Sequence, residues 1–379
     1  RVAAEGVLFQ SAFTTNPKCS PSRATILTGR NTWELEQACC HFGVFPAKFE
    51  VYTDLLEEAG YHVGYTGKPW APGDWKKGGW KRNPAGDAYN RIRCKPPTTG
   101  ISNKDYAANF EAFLNDREDD QPFCFWYGGH EAHRVYEAGS GLAAGKTLDQ
   151  ARVPGYFPDN ETVRSDLLDY ALEIEYFDEH LGRMLAALER TGELDNTLVV
   201  VTADNGMPFP RVKGQIYDDD FRLPLAIRWG RESTSGRVVD DFVSFSDFAP
   251  TFLEAAGLQP LEEMTGRSFM DVLRSRASGM IDPTRNRMYV GKERHDLGRP
   301  GDVGYPVRAV RTPEFLYARN FRPDRWPAGN PETGYRNIDA SPTKSLILEQ
   351  KEEGKTYYWD LSMGKRPEEE LYDLRDDPE

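Results

Sequence analysis

The sequence predicts an α/β protein with a large, mostly parallel central sheet flanked by helices, followed by a smaller antiparallel α+β domain. Helix-like and strand-like segments alternate before about residue 285, which favours parallel strands joined by crossover helices. The apolar run 198–202 is typical of a strand buried on both faces, and therefore central and parallel. After residue 285, short strand-like runs separated by loops rich in proline and glycine replace this alternation.

Each predicted element has a local signal. Helix-forming stretches, two of them closed by a glycine, occur at residues 54–59, 105–117, 161–189 and 247–256. Strand-like runs occur at residues 61–66, 123–127, 198–202, 223–229, 288–290, 307–310 and 315–318. The change of pattern near residues 275–287 predicts a larger α/β domain at 1–283 and a smaller C-terminal domain at 284–379.

Composition excludes several classes of protein. The 379 residues carry 47 Lys and Arg against 60 Asp and Glu, a net charge of −13, which is opposite to the balance of a nucleic-acid binder. Hydrophobic residues make up 39%, which supports a packed core and argues against disorder. No run approaches the ~20 consecutive apolar residues of a membrane helix. The five cysteines have neither the density of a disulfide scaffold nor a metal-ligand spacing.

The segment with the clearest chemical signal is residues 19–30, Cys-Ser-Pro-Ser-Arg-Ala-Thr-Ile-Leu-Thr-Gly-Arg. Ser20 followed by Pro21 is typical of a helix N-cap with proline at the first helical position. Cys19 would then precede a helix N-terminus, where free N–H groups and the helix dipole favour an anion. Arg23 lies in the first turn, so the segment predicts a nucleophile facing an anionic group. A buried thiol beside an ordinary capped helix is the alternative.

Further polar residues follow predicted strands, where ligands bind in open α/β sheets. Asp204 and Asn205 follow the apolar strand and offer oxygen ligands suited to Ca²⁺ or Mg²⁺, although Asp-Asn-Gly alone is typical of a turn. Lys68 follows another strand. His130 and His133 follow a third, in Gly-Gly-His-Glu-Ala-His-Arg, whose spacing excludes the His-Glu-x-x-His zinc-protease motif.

Cys-x-Pro-Ser-Arg followed by Thr-Gly-Arg resembles the signature of the type I sulfatases. The resemblance implies that Cys19 is oxidised to formylglycine, whose hydrate supplies the attacking oxygen. It implies that Asp204, Asn205 and residue 19 hold a Ca²⁺ ion, or Mg²⁺. The residues that it implies around the sulfate and the leaving group are Arg23, Lys68, His133 and Lys213.

Three motifs, His-x-x-His-Arg, Asp-Asn-Gly-Met-Pro-Phe-Pro and Tyr-Pro-Val-Arg, resemble the heparan N-sulfatase (sulfamidase) branch. This resemblance implies an alkaline-phosphatase-like fold and an N- or O-sulfated glucosamine substrate in heparan- or heparin-type saccharides. It also implies a formylglycine-generating or anaerobic sulfatase-maturating enzyme as partner, and a secreted, periplasmic or lysosome-like location. The candidate sugar contacts are His130, Arg134, Arg294, His295 and Arg299.

The sequence departs from the sulfatase pattern at two places. Trp70 stands where members usually have a histidine after the Gly-Lys element, so the base that regenerates the aldehyde is not identified. The Asp-Asp pair of the family's first strand is absent, and we expect it N-terminal to Arg1. Lack of that strand would leave apolar surface and sheet edges exposed. The acidic run 218–220 is expected to form a solvated turn rather than a substitute metal site.

Two other functions remain open at this point. Some members of the superfamily share the Cys-x-Pro-Ser-Arg signature and hydrolyse phosphonates or phosphodiesters. A catalytically inactive sulfoglycan-binding protein is the alternative outside enzymes, and Trp70 and the missing aspartates motivate it.

Overall fold

We describe a computed structural model of the chain that covers residues 1–230 and 232–377. Its twelve strands are β1 Val7–Phe13, β2 His62–Gly67, β3 Asp87–Ala88, β4 Phe123–Gly128, β5 Val199–Thr202, β6 Arg222–Arg228, β7 Arg237–Val239, β8 Val243–Ser244, β9 Met288–Lys292, β10 Val307–Arg311, β11 Phe315–Asn320 and β12 Glu369–Asp373. Its eleven α-helices are α1 Val2–Glu5, α2 Cys19–Thr28, α3 Tyr52–Glu58, α4 Tyr106–Asp116, α5 Ser140–Ala143, α6 Glu161–Thr191, α7 Asp218–Phe221, α8 Phe248–Ala255, α9 Met270–Arg274, α10 Pro342–Glu352 and α11 Tyr357–Met363. Among these, none is long and apolar enough to cross a membrane.

The strands form three sheets. A mixed sheet has the order β5-β6-β1-β7, with β8 also pairing with β1, and a parallel sheet has the order β3-β2-β4. The third sheet, β12-β11-β10-β9, is antiparallel throughout and is built from residues 288–373. The predicted combination of an α/β part and a later antiparallel sheet is confirmed.

The helices cover the mixed and parallel sheets on two sides. Apolar residues of α2, α3 and α8 pack together with β1 and β6 in one core. Residues of α4 and α6 form a second core. Side chains of β4 alternate between them, with Trp126 on the first core and Phe125 on the second. The antiparallel sheet has its own core, which reaches Phe13 at the end of β1.

The predicted direction and position of the apolar strand 198–202 are wrong. β5 pairs antiparallel with β6 and lies at the edge of the mixed sheet. Val200 packs on the first core and Val199 and Val201 on the second. A continuous apolar run therefore reports contact with a core on both faces, which does not specify strand direction.

A groove of about 1250 Å³ lies between β4 and β5. Both strands line it, and each is the last strand of its sheet, so within residues 1–230 and 232–377 each pairs with a strand on one side only. Their side chains in the groove are half-buried. Among the described residues, β4 and β5 therefore each have one unpaired edge at this groove.

The acidic run 218–220 does not form the solvated turn that we expected. Asp220 is completely buried and accepts backbone N–H bonds from Gly214 at 2.6 Å and Gln215 at 2.8 Å. Burial nevertheless raises the pKa of Asp220 well above its ordinary value. Asp218 is also buried and pairs with Arg311 at 3.0 Å. The prediction is wrong because folding brings backbone N–H groups and an arginine to these carboxylates. A run of three aspartates in the sequence does not reveal such partners.

The buried face of α6 carries three acidic residues with different partners. Asp166 pairs with an arginine, and Asp169 accepts N–H bonds from the start of α5. Glu173 instead lies near the carboxylates of Glu131 and Asp169. Burial, reinforced by these two carboxylates, raises the pKa of Glu173 from 4.5 to about 8.

We predict that Glu173→Gln stabilises the protein only at higher pH. Between pH 4.5 and about 8 the native state binds more protons at Glu173 than the unfolded state, so stability falls as pH rises. The neutral amide removes this loss. Thermal unfolding should give a variant with a higher Tm than the parent at pH 8, and with no such advantage at pH 4.5. Glu179→Gln, on the exposed face of the same helix, is the control. An advantage independent of pH would contradict the assignment.

Candidate active site

Cys19 is the first residue of α2 and is 2% exposed. The residue that caps the helix is Lys18, whose backbone is extended, rather than Ser20 as the sequence predicted. The Ser20 hydroxyl is buried and has no hydrogen-bond partner in the described structure. Gly29 ends the helix at φ 65°, as predicted, because a left-handed residue closes the last turn without a Cβ clash.

The groove between β4 and β5 continues to Cys19, and we call the part beside Cys19 the cavity. The structure brings the polar residues of four separate segments into this cavity. Those that line it are Arg23, Lys68, His130, His133, Asp204, Asn205 and Lys213. The Asn205 amide lies 3.6 Å from the Cys19 sulfur. Burial opposes the Cys19 thiolate, but Lys68 and Lys213 lower the pKa of the thiol well below its ordinary value. The cavity therefore favours negative charge at position 19, although the whole chain is acidic.

Arg23 links the helix to two of these segments. Its Nε donates to Asp204 Oδ2 at 2.7 Å, and its Nη1 donates to the carbonyls of Lys68 and Pro69. Asn205 donates to the other Asp204 oxygen at 2.8 Å. Although burial opposes it, Arg23 together with Lys68 holds the pKa of Asp204 well below its usual range. Arg23 thus fixes the positions of the loop ends that surround Cys19.

These contacts bear on the cation that the resemblance implies. Asp204 and Asn205 supply one carboxylate and one amide oxygen, and that carboxylate is already neutralised by Arg23. In residues 1–230 and 232–377 there is no cluster of three His, Cys, Asp or Glu side chains suited to a metal. Ca²⁺ takes six to eight oxygen ligands, several of them charged. The described residues therefore do not fit a Ca²⁺ or Mg²⁺ site on their own.

His133 and Lys213 form a hydrogen-bonded pair on the outer side of the cavity. Lys213 Nζ lies 3.2 Å from His133 Nε2 and 2.7 Å from Asp339 Oδ2. His133 Nδ1 is 2.7 Å from the Arg134 carbonyl, which only accepts, so Nδ1 carries the proton and Nε2 accepts from Lys213. Partial burial and the Lys213 ammonium lower the pKa of His133.

His130 lies at the mouth of the cavity. Its Nε2 is 3.2 Å from Lys104 Nζ, and its backbone N–H donates to the Tyr106 hydroxyl. Partial burial and Lys104 lower the pKa of His130 to about 4. The ring is therefore neutral near pH 7 and presents a hydrogen-bonding edge to a ligand.

The other predicted sugar contacts lie away from this mouth. Arg134 is bound by both oxygens of the buried Asp166, at 2.6 and 2.9 Å, and braces the histidine loop. Arg299 donates to backbone carbonyls of residues 326 and 327, and His295 is buried against Gly214. Arg294 is half-buried and donates to the His41 carbonyl at 3.1 Å.

Sequence reasoning missed four charged or polar side chains near the cavity: Lys18, His41, Asp296 and Asp339. Lys18 and Asp296 had a weak signal, because Lys18 precedes Cys19 and Asp296 follows the predicted sugar contact His295. His41 and Asp339 had none, since neither adjoins a predicted site segment and no spacing relates them to Cys19.

Comparison with known proteins identifies the family. The Sulfatase family profile matches residues 1–258, so the chain belongs to the Sulfatase family. An ulvan-active sulfatase of Formosa agariphila is 26% identical over 432 aligned residues, which cover 100% of this chain and 65% of that protein. The chain therefore spans just under two thirds of that relative.

Two other relatives are similar over nearly the whole chain. Human N-sulphoglucosamine sulphohydrolase is 26% identical over 423 aligned residues, covering 100% of this chain and 78% of that protein. The structure of BT4656 in complex with its substrate D-glucosamine-2-N,6-O-disulfate has a TM-score of 0.65 at 20% identity, covering 95% of this chain and 92% of that one. This likeness confirms the sulfatase fold.

We predict that Ca²⁺ has little effect on the stability of this chain. With a single neutralised carboxylate, a site has low affinity, and a ligand stabilises only in proportion to RT ln(1 + [L]/Kd). Thermal unfolding should give the same Tm with and without about 1 mM Ca²⁺. This concentration is the upper end of the range of Kd values for weak Ca²⁺ sites in proteins. A clear increase that EDTA reverses would contradict this reading of Asp204.

We predict that inorganic sulfate binds the cavity and raises the Tm in a saturable way. Lys68 and Lys213 both favour negative charge at the buried Cys19 position, so an anion bound beside it is stabilised by both ammonium groups. Equal ionic strength of chloride corrects for general salt effects. Lys68→Met should abolish the saturable increase, and Lys77→Met, at an exposed site, should retain it. If the parent protein, Lys68→Met and Lys77→Met all showed the same saturable increase in Tm, the sulfate would bind elsewhere.

Proposed function

We propose that the protein hydrolyses sulfate groups from sulfated glycans, and specifically the N-sulfate or an O-sulfate of glucosamine in heparan-type saccharides. The observation that carries this proposal is the cluster of Lys68, Lys213 and Asn205 around a buried Cys19 in a Sulfatase-family chain. Similarity to a human N-sulphoglucosamine sulphohydrolase supports the glucosamine substrate.

The reaction needs a harder nucleophile than a thiol, and we propose that a maturating enzyme converts Cys19 to formylglycine. The hydrated aldehyde supplies an oxygen that attacks sulfur, and its second hydroxyl later allows sulfate to leave. The surroundings of Cys19 fit this group. Its sulfur occupies the place of the hydrate oxygens, and the Asn205 amide and the two lysines provide donors for them.

Lys68 and Lys213 would bind the sulfate oxygens. The Lys213 ammonium is fixed before substrate arrives, since Asp339 holds it, and Arg23 holds the backbone that carries Lys68 through its carbonyl. Charges that are already in place need no reorganisation as negative charge shifts in the transition state, which is the main way such sites accelerate reactions.

His133 would donate the proton that the departing amine or alcohol needs. In the free protein it is neutral, because Lys213 donates to its Nε2. A bound sulfate attracts the Lys213 ammonium and adds negative charge beside the ring, and both changes favour the imidazolium. His130 and the neighbouring Lys104 would contact the sugar from the mouth of the cavity. We further propose that the protein meets its substrate in a secreted, periplasmic or lysosome-like compartment.

We predict that protein co-expressed with a maturating enzyme releases sulfate from N-sulfoglucosamine or from glucosamine O-sulfates. Cys19→Ala should lose the activity completely, because no oxygen nucleophile can form at that position. Released sulfate is measured by ion chromatography, and the mass of the residue-19 peptide reports the modification. Comparison of the N-sulfate and 6-O-sulfate substrates identifies the bond that is broken.

Two results would contradict this proposal. Faster turnover of a phosphonate monoester or phosphodiester than of any sulfate would support a phosphonate or phosphodiester hydrolase. Binding of sulfated saccharides without sulfate release, in protein whose residue 19 is fully modified, would support an inactive sulfoglycan-binding protein.

A further inference from the structure

We propose that His41, oriented by Asp296, is the proton acceptor that expels sulfate from residue 19 and regenerates the aldehyde. This inference rests on the proposed function and assigns a residue to the step for which the sequence offers no candidate. Trp70 occupies the place of the usual histidine, and an indole N–H can donate a proton but not accept one.

The first observation is a chain of three polar groups that ends at Cys19. His41 Nδ1 lies 2.5 Å from Asp296 Oδ1, and the other Asp296 oxygen lies 2.9 Å from Lys18 Nζ. Lys18 is 1% exposed and His41 is 6% exposed. A carboxylate accepts only, so His41 Nδ1 is the donor of this bond, and in the neutral ring Nε2 carries the lone pair.

The second observation concerns where Nε2 points. The His41 ring is close enough to Cys19 to interact with its side chain. Nε2 is buried and makes no hydrogen bond to any residue that the structure describes. A buried ring nitrogen without a partner is unfavourable and calls for an explanation. A role in proton transfer at the neighbouring residue 19 supplies one.

The other histidines near the cavity are less suited to this step. His133 Nε2 accepts from Lys213, and His130 Nε2 lies beside Lys104 at the mouth. The His295 ring is packed against the backbone of Gly214. Among these rings, His41 therefore combines a carboxylate on Nδ1, an Nε2 without a partner among the described residues, and proximity to Cys19.

The step balances as follows. After transfer, the Cβ of residue 19 bears one hydroxyl and one sulfate ester. His41 Nε2 takes the hydroxyl proton, the O–H electron pair forms the C=O bond, and the Cβ–O bond to sulfate breaks with its electrons leaving on sulfate. His41 then gives the proton to water, and a water molecule adds to the aldehyde to restore the hydrate. No oxidant or reductant takes part.

Asp296 is a positioning residue in this scheme. It fixes the ring so that Nε2 faces residue 19, and it stabilises the imidazolium that forms when the proton is taken. Lys18 holds the second carboxylate oxygen, so the carboxylate remains in one orientation. Asp296 belongs to the loop after β9, whereas His41 and Lys18 come from the first part of the chain.

The test separates formation of the sulfate ester from its breakdown. Wild-type, His41→Gln and Asp296→Asn proteins, each with formylglycine at position 19, are mixed with a chromogenic aryl sulfate. Release of the phenol is followed from the first turnover, and quenched samples are digested to weigh the residue-19 peptide. His62→Gln, at the opposite end of β2 from Lys68, is the control, and Tm values report folding.

We expect His41→Gln to release one equivalent of phenol per modified site and then to turn over about 10²–10⁴-fold more slowly than wild type. Its residue-19 peptide should carry an added SO₃. Asp296→Asn should accumulate the same adduct with a smaller loss, and His62→Gln should match wild type. If His41→Gln fails to fold, the Asp296→Asn adduct decides the matter.

Three results would overturn the assignment: normal turnover of His41→Gln, loss of turnover without the initial release, or loss without an adduct in either variant. Each requires that the wild type is active. A wild type that is fully modified and releases no sulfate from any substrate would instead refute the proposed function.

Discussion

Burial of several cations around one side chain is the constraint on which this site depends. Removing an ammonium or guanidinium group from water is costly unless a carboxylate or several hydrogen bonds compensate. Three of the cations have such a carboxylate, in the pairs Arg23–Asp204, Lys213–Asp339 and Lys18–Asp296. The pairs hold the positive charge in place while leaving a net preference for negative charge at Cys19.

The balancing carboxylates come from distant parts of the chain. Asp204 follows β5, whereas Asp296 and Asp339 lie in loops of the region that contains the antiparallel sheet. Association of that region with the two α/β cores is therefore part of how the cations are kept buried. The acidic composition fits this arrangement, since an acidic chain can supply a partner for each cation and still be negative on its surface.

Much of the fold and of the cavity could be predicted because the signals are local. Helical spacing predicts α6 almost to the residue, and the residues after β2, β4 and β5 do meet Cys19 in one cavity. Strand direction could not be predicted, since an apolar run reports burial on both faces and nothing about pairing. Asp220 was misjudged for a similar reason, because its three amide donors come from segments folded against it.

The residues that escaped prediction are those that act through another residue. Asp296 and Asp339 each hold a functional side chain in place, and such a role leaves no motif because it needs only one carboxylate at the right point in space. His41 is one of six histidines in the sequence, but the role that we propose for it depends on Asp296, which is 255 positions away. Three-dimensional proximity is the only evidence for these roles.

The origin of Asp296 has a consequence for the order in which this region is completed. Asp296 lies in the loop after β9, whereas the Lys18 and His41 side chains with which it pairs come far earlier in the sequence. A nascent chain that ends before β9 therefore lacks the carboxylate beside these two side chains, so this part of the cluster forms only after the antiparallel region has been synthesised.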